Sequence, residues 1–293
     1  MATNQVQYEY RTTHAQPTVA FVFQGGGSLS APQVGMLRAL TDYGITPDFV
    51  IGTSAGALNA VAYATDPTHA GIDRLQNLWL TLRRRNVAGI SARTLARAVL
   101  GHRDGLLDVD PLVQILRGYG APSQLDKTEL PAHVVATDLL TGEPVVMSNG
   151  DTVSALLASA AFPGMYEPVV REGRRLIDGG VAADIPVLQA EALGATTSYV
   201  LPAAGGDVSH SLPRGPLAMA YHALGQILDS AARRDARAAA GEVILLPHAT
   251  SSASNPLDFR ETVRLIQDGY ELATRWLTTN VARDGDANEA AYA

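Results

Sequence analysis

The chain reads as an α/β protein built on a parallel sheet. Three observations carry that reading. Val19-Ala20-Phe21-Val22-Phe23 and Phe49-Val50-Ile51 are continuous apolar runs, the pattern of short strands buried on both faces. Between them, Pro32 to Tyr43 sets Val34, Met36, Leu37 and Leu40 along one side of a helix, and Gly44 stops it. Strand, helix, strand at this spacing implies a crossover, and a crossover joins parallel strands.

The elements follow in order. The first strand, Val19 to Phe23, runs into Gln24 and the triplet Gly25-Gly26-Gly27, which reads as a tight turn. The second strand, Phe49 to Ile51, leads into Gly52-Thr53-Ser54-Ala55-Gly56 and then the helix-forming run Ala57 to Ala62. Ile72 to Leu116 is mostly helical and less regular. Ala132 to Ala136 is a strand, and Pro144 to Met147 pairs with it across Thr141-Gly142. Thr152 to Ser159 is a short helix, and Arg174 to Ile177 a strand ending at Asp178-Gly179-Gly180. Ser198 to Leu201 and Val243 to Leu246 are two more buried strands. Between them Leu217, Ala220, Leu224, Ile227, Leu228 and Ala231 recur at helical spacing. Phe259 to Leu277 closes the chain as a helix. With no internal repeat, the pattern gives one domain over 19–280, after a polar lead-in over 1–18 and before a frayed tail over 281–293. Gly205 to Gly215 is the clearest loop.

Composition narrows the function classes. The 293 residues carry a net charge of −7, which argues against nucleic acid as a partner and against a general attraction to anionic membranes, though local patches can differ. There is no cysteine, hence no thiolate nucleophile and no Cys-ligated metal. The seven histidines show no metal-ligand spacing, so neither metal nor cofactor is expected. No apolar run reaches spanning length. These features fit a cytoplasmic protein with, at most, peripheral membrane contact.

The chemistry concentrates at Ser54. A serine between a strand and a helix, flanked by Gly52 and Gly56, stands proud of the sheet over the helix N-terminus. Side chains at the flanking positions would collide with strand and helix. Serine needs a base to take its proton and donors for the oxyanion. Gly25-Gly26-Gly27, at the end of the neighbouring strand and before a helix, offers backbone N–H donors. A dinucleotide fingerprint is the rival reading, but Gly25-x-Gly27-x-x-Ser30 lacks its third glycine. Two bases compete. His248, after a late strand, fits a Ser–acid–His order. Asp178, at a strand end with two glycines behind it, could act on Ser54 directly if partly desolvated.

The ordered set of motifs resembles the patatin-like phospholipases. It comprises Gly25-Gly26-Gly27 with Gly35-Met36-Leu37, Gly52-Thr53-Ser54-Ala55-Gly56, Ala136-Thr137-Asp138-Leu139 with Thr141-Gly142, Ser159-Ala160-Ala161-Phe162-Pro163, Asp178-Gly179-Gly180 and Pro256-Leu257-Asp258-Phe259. The resemblance implies a three-layer α/β/α fold with a mostly parallel central sheet, a Ser54–Asp178 dyad without histidine and an oxyanion hole from Gly25, Gly26 and Gly27. It also implies hydrolysis of lipid acyl esters through an acyl-serine, or transfer of the acyl group to another acceptor. Gly52, Gly56, Gly179 and Gly180 support the turns. Two positions depart from the family. Leu29-Ser30 stands where a cation followed by glycine is common, and Asp184 stands where asparagine is common, read as structural. Arg83-Arg84-Arg85 reads as a solvated helix end or, alternatively, a lipid head-group patch. Ile90 to Leu107 reads as core packing or an apolar cover over an acyl pocket.

Overall fold

The structure, a computed structural model, describes residues 17–89, 91–206, 216–252 and 256–291. The strands are β1 (Val19–Phe23), β2 (Phe49–Thr53), β3 (Ala132–Asp138), β4 (Pro144–Met147), β5 (Val169–Arg171), β6 (Arg174–Asp178), β7 (Thr197–Leu201), β8 (Gly205–Gly206), β9 (Glu242–Leu245) and β10 (Thr250–Ser251). The helices are α1 (Pro32–Asp42), α2 (Ala55–Thr65), α3 (His69–Thr81), α4 (Arg84–Val87), α5 (Ala92–Val99) and α6 (Asp110–Gly118). They continue with α7 (Thr152–Ser159), α8 (Gly180–Ala183), α9 (Val187–Ala192), α10 (Pro216–Ala238) and α11 (Thr262–Ala291).

The expected sheet is present. Its eight strands follow the order β5-β6-β3-β2-β1-β7-β9, with β4 added on β3. β9, β7, β1, β2 and β3 are joined by parallel pairings, whereas β4 and β6 run antiparallel to β3, and β5 antiparallel to β6. Alternation along β1 shows the layers. Phe21 and Phe23 belong to the larger core with residues of α1, α2, α3, α7 and α11, while Ala20 and Val22 pack on the other face with Ala183, Val187, Ala190 and Ala232 of α8, α9 and α10. A strand buried on both faces shows no apolar–polar alternation, which is why these strands appear as unbroken apolar runs.

Several elements differ from expectation, among them the two-residue strands β8, at the start of the stretch read as a loop, and β10, which are too short to show a pattern. β5 is absent from the sequence reading because Val169-Val170-Arg171 is only three residues long and half-exposed. The turn α8 and helix α9 interrupt what reads as irregular chain after Gly180, because Ile185-Pro186-Val187 carries no helical period. The closing helix starts at Thr262 and continues past Leu277 to Ala291, since no proline breaks the run that reads as a frayed tail. Residues 1–16, most of the loop at 205–215, and His14 and His210 lie outside the described residues. Ile90 does too; of the rest of the 90–107 segment, Leu100 is exposed and Leu107 buried.

Candidate active site

One edge of β3 assembles the centre. β4 pairs with Val134 to Thr137 along one edge of β3. β2 pairs with Ala132 to Val135 and β6 with Ala136 to Asp138. A strand has only two edges, so β2 and β6 share the other one and meet end to end. Thr53 lies opposite Val135 and Asp178 opposite Ala136. The residues just past these ends, Ser54 and Gly179, are therefore neighbours although their motifs lie far apart in sequence.

Ser54 sits at the turn with φ 54° and ψ −126°, one of two described non-glycine residues at positive φ. A side-chain carbon at Gly52 would lie 2.6 Å from the Gly56 oxygen, and one at Gly56 would strike the carbonyl of Gln24. The flanking glycines thus let α2 descend onto β1 and β2 directly after the serine. The Ser54 N–H donates to Ser159 Oγ at 2.8 Å, and Ser159 Oγ–H donates to Val135 O at 2.6 Å. Ser159 belongs to the Ser-Ala-Ala-Phe-Pro motif, and its pinning of the elbow was not anticipated from sequence. Ser159→Ala leaves that N–H and that carbonyl unpaired. It is expected to cost about 1–3 kcal/mol of stability and to lower kcat more than KM is changed; urea melts and ester kinetics check both.

Ser54 Oγ–H donates to Asp178 Oδ2 at 2.7 Å. The other carboxylate oxygen, Oδ1, accepts the Gly180 N–H at 2.8 Å. Asp178 is only 4% exposed, while Ser54 is half-buried. Burial, the largest influence, pushes the Asp178 carboxyl up to about 7; the hydrogen bonds from Ser54 and Gly180 oppose the rise, and the Asp184 charge adds to it. The backbone around the acid is fixed as well: Asp178 N donates to Ala161 O and Gly179 N to Ser159 O, while Thr137 Oγ1 donates to Asp178 O. A side chain at Gly179 would strike the Val135 carbonyl, so the acid comes this close only with glycine behind it.

The glycine triplet lies against the serine: a Cβ at Gly25 would be 3.4 Å from Ser54 Cβ. One of its expected donors is already used, however. Gly25 N–H donates to Asp184 O at 3.1 Å. Among the described residues the N–H groups of Gly26 and Gly27 take no partner. Gly26 has φ 155° and Gly27 φ 59°, conformations open at little cost only to glycine. Asp184 holds this loop: its Oδ2 accepts from Gln24 Nε2 at 2.8 Å, while Gln24 Oε1 accepts from Ala203 N at 3.0 Å. At the position where a cation is common in the family, Leu29 is half-buried and packs on the main core, and Ser30 is fully buried.

His248 is exposed. It packs across Gly205 in the small β8–β10 sheet, and no hydrogen bond links it to Ser54 or Asp178. His248→Ala is expected to leave ester turnover within about twofold of the wild type; a loss matching that of an Asp178 variant would reinstate a triad. His69 pairs with Asp42, and half-buried His133 with Ser148. Among the described residues, no group of three or more His, Asp or Glu is arranged to hold a metal ion, and no helix is long and apolar enough to cross a membrane.

The family model described as patatin-like phospholipase matches residues 21–191. An uncharacterised NTE family protein of Mycobacterium tuberculosis is 27% identical over 59% of this chain and 45% of its own length. Lysophospholipase nte1 of Aspergillus terreus is 27% identical over 68% of this chain but 12% of its own length. Patatin-like phospholipase domain-containing protein 7 of Mus musculus is 26% identical over 60% of this chain and 13% of its own length. The chain thus matches less than half the length of these relatives. Among solved structures, VipD from Legionella pneumophila gives a TM-score of 0.45 at 14% identity, covering 90% of this chain and 67% of that one.

Proposed function

The chain belongs to the patatin-like phospholipase family, and from that premise we propose that it hydrolyses acyl esters of lipids at Ser54, with Asp178 as the base. The observation that carries the reading is the direct 2.7 Å hydrogen bond from Ser54 Oγ–H to Asp178 Oδ2. Ser54 Oγ attacks the ester carbonyl carbon while its proton passes to Asp178 Oδ2. The oxygen that becomes negative takes hydrogen bonds from the Gly26 and Gly27 N–H groups. Collapse of this intermediate breaks the bond to the alcohol, and Asp178 returns the proton to the leaving oxygen. Water then attacks the acyl-Ser54, giving its proton to Asp178, which passes it back to Ser54 as the fatty acid departs.

Leu29 shapes the substrate class. With leucine beside the oxyanion loop, this position supplies no guanidinium or ammonium to a phosphate next to the scissile ester, so neutral acyl esters are favoured over phospholipids at this centre. A hydrolysis screen over ester chain lengths and phospholipids, combined with a fluorophosphonate probe, tests both statements. Hydrolysis with the probe covalently bound at Ser54 is the expected result. Turnover of esters with Ser54 unlabelled, or no hydrolysis of any ester, overturns the catalytic reading. Faster cleavage of phospholipids than of neutral esters of equal chain length overturns the substrate preference.

A further inference from the structure

The surface carries an open cleft of about 690 Å³ that Ser54 and Asp178 do not line. Leu80, Arg83 and Arg84 form one wall, at the end of α3 and the start of α4; Leu257, Phe259 and Arg260, ahead of α11, form the other. The charges are available. Arg83 donates to the carbonyls of Leu80 and Leu82 at 2.8 and 2.7 Å, contacts that do not neutralise it. Among the described residues no carboxylate lies within ion-pair distance of Arg83, Arg84 or Arg85. Arg260 is paired with Asp258. In a chain of net charge −7, this is a local inversion of sign over an apolar floor, and the neighbouring Val263 is 66% exposed.

The floor is fixed to the catalytic frame. Phe259 packs on Trp79 with ring centres 6.3 Å apart, and Trp79 Nε1–H donates to Asn59 Oδ1 at 2.7 Å. Asn59 stands on α2, the helix that Ser54 opens, and its amide donates to Ser30 O and Gln33 Oε1. At the other wall, Pro256 O accepts the Ser28 N–H at 2.7 Å beside the oxyanion loop. A body held here would sit at a set distance from the catalytic turn.

We propose that this cleft docks the protein on an anionic lipid surface. Arg83 and Arg84 take head-group phosphate oxygens, for which a guanidinium fork is suited, while Leu257, Phe259 and Val263 rest against the boundary of head group and acyl chain. A site for a free phosphate would have no use for the apolar floor, and the net negative charge disfavours nucleic acid. The surface is separate from the active centre, where Leu29 itself supplies no cation to the scissile lipid.

The test is co-sedimentation of the full chain with vesicles of phosphatidylcholine alone or with added phosphatidylserine. Binding should be at least about tenfold tighter to the anionic vesicles and should weaken with salt. Arg83→Gln/Arg84→Gln should bind them roughly 10- to 30-fold more weakly, about fivefold for each arginine near the surface. Turnover of a soluble short-chain ester should be unchanged. Arg93→Gln/Arg97→Gln removes the same charge outside the cleft and should bind like the wild type. Equal binding to both vesicles overturns the proposal, as does unchanged binding by the cleft variant or an equal loss in the control. So does displacement by millimolar inorganic phosphate at constant ionic strength, which marks a free-anion pocket. If soluble-ester turnover falls in the cleft variant, Arg83→Lys/Arg84→Lys decides: restored vesicle binding supports docking and unrestored binding overturns it. A wild type that binds vesicles yet cleaves no ester sinks the catalytic reading alone.

Discussion

Asp178→Asn is expected to cut ester turnover by at least about 100-fold, the scale for losing a general base, while making the protein more stable at pH 8. Both effects follow from burying this carboxyl beside a serine. In the unfolded chain it ionises near 3.8, and in the folded protein near 7. A group raised on folding contributes its full stability below the unfolded value and loses it as pH rises through the folded value. Between pH 4 and pH 7 the folded state therefore loses ground, and above pH 7 the deficit is constant, of the order of 4 kcal/mol. Asparagine carries no charge to desolvate. Its amide oxygen can still accept the Gly180 N–H, and its NH₂ can face Ser54 Oγ. The melting midpoint of the variant should rise by several degrees at pH 8 and by clearly less at pH 5. An equal rise at both pH values, or none, would show that Asp178 is not a strained buried charge. In the wild type the same displacement sets the acid limb of the pH–rate profile: only the carboxylate can accept the proton, so turnover should climb through pH 7. A limb near 4 would mean that water reaches Asp178 in the working enzyme.

The parts of this centre differ in how legible they were in the sequence, and the difference is physical. The elbow was legible because one local geometry forces two residue types: Gly52 and Gly56 are required by contacts within five residues of each other and with the strand beside them. The glycine triplet was legible as a turn, but the fate of its N–H groups was not. Gly25 gives its hydrogen to Asp184, a partner 159 positions away that no local pattern could pick out. The base was legible only as one of two candidates. What separates Asp178 from His248 is the shared edge of β3, where β6 comes in antiparallel and stops against the end of β2. Long-range antiparallel pairing depends on register and partner choice, which apolar runs do not encode. Ser159 is the clearest omission. Its hydroxyl is fully buried and reads from sequence as the last residue of a small apolar helix, yet it ties the elbow to β3.

Replacing the nucleophile measures what the elbow costs the fold. Ser54→Ala and Ser54→Gly should both reduce turnover to background and abolish fluorophosphonate labelling, since neither has an oxygen to attack with. Their stabilities should nonetheless differ, with glycine the more stable. Ser54 holds φ 54° and ψ −126°, a region that costs a residue bearing a Cβ about 1–3 kcal/mol; alanine keeps that cost and glycine escapes it. Against this, glycine gives up about 0.5–1 kcal/mol through its freer unfolded chain. The main-chain bonds at this position are common to both variants: the N–H to Ser159 Oγ, and the carbonyl to the N–H groups of Ala57 and Leu58. Both also strip Asp178 of its serine partner, so the electrostatic change cancels in the comparison. What remains is backbone strain minus chain entropy, about 1 kcal/mol in favour of glycine, readable in paired urea melts. If alanine proves the more stable by the usual margin for a regular segment, the turn is relaxed. Glycine's advantage, if found, is the stability given up to hold one hydroxyl between a buried carboxylate and two idle N–H groups.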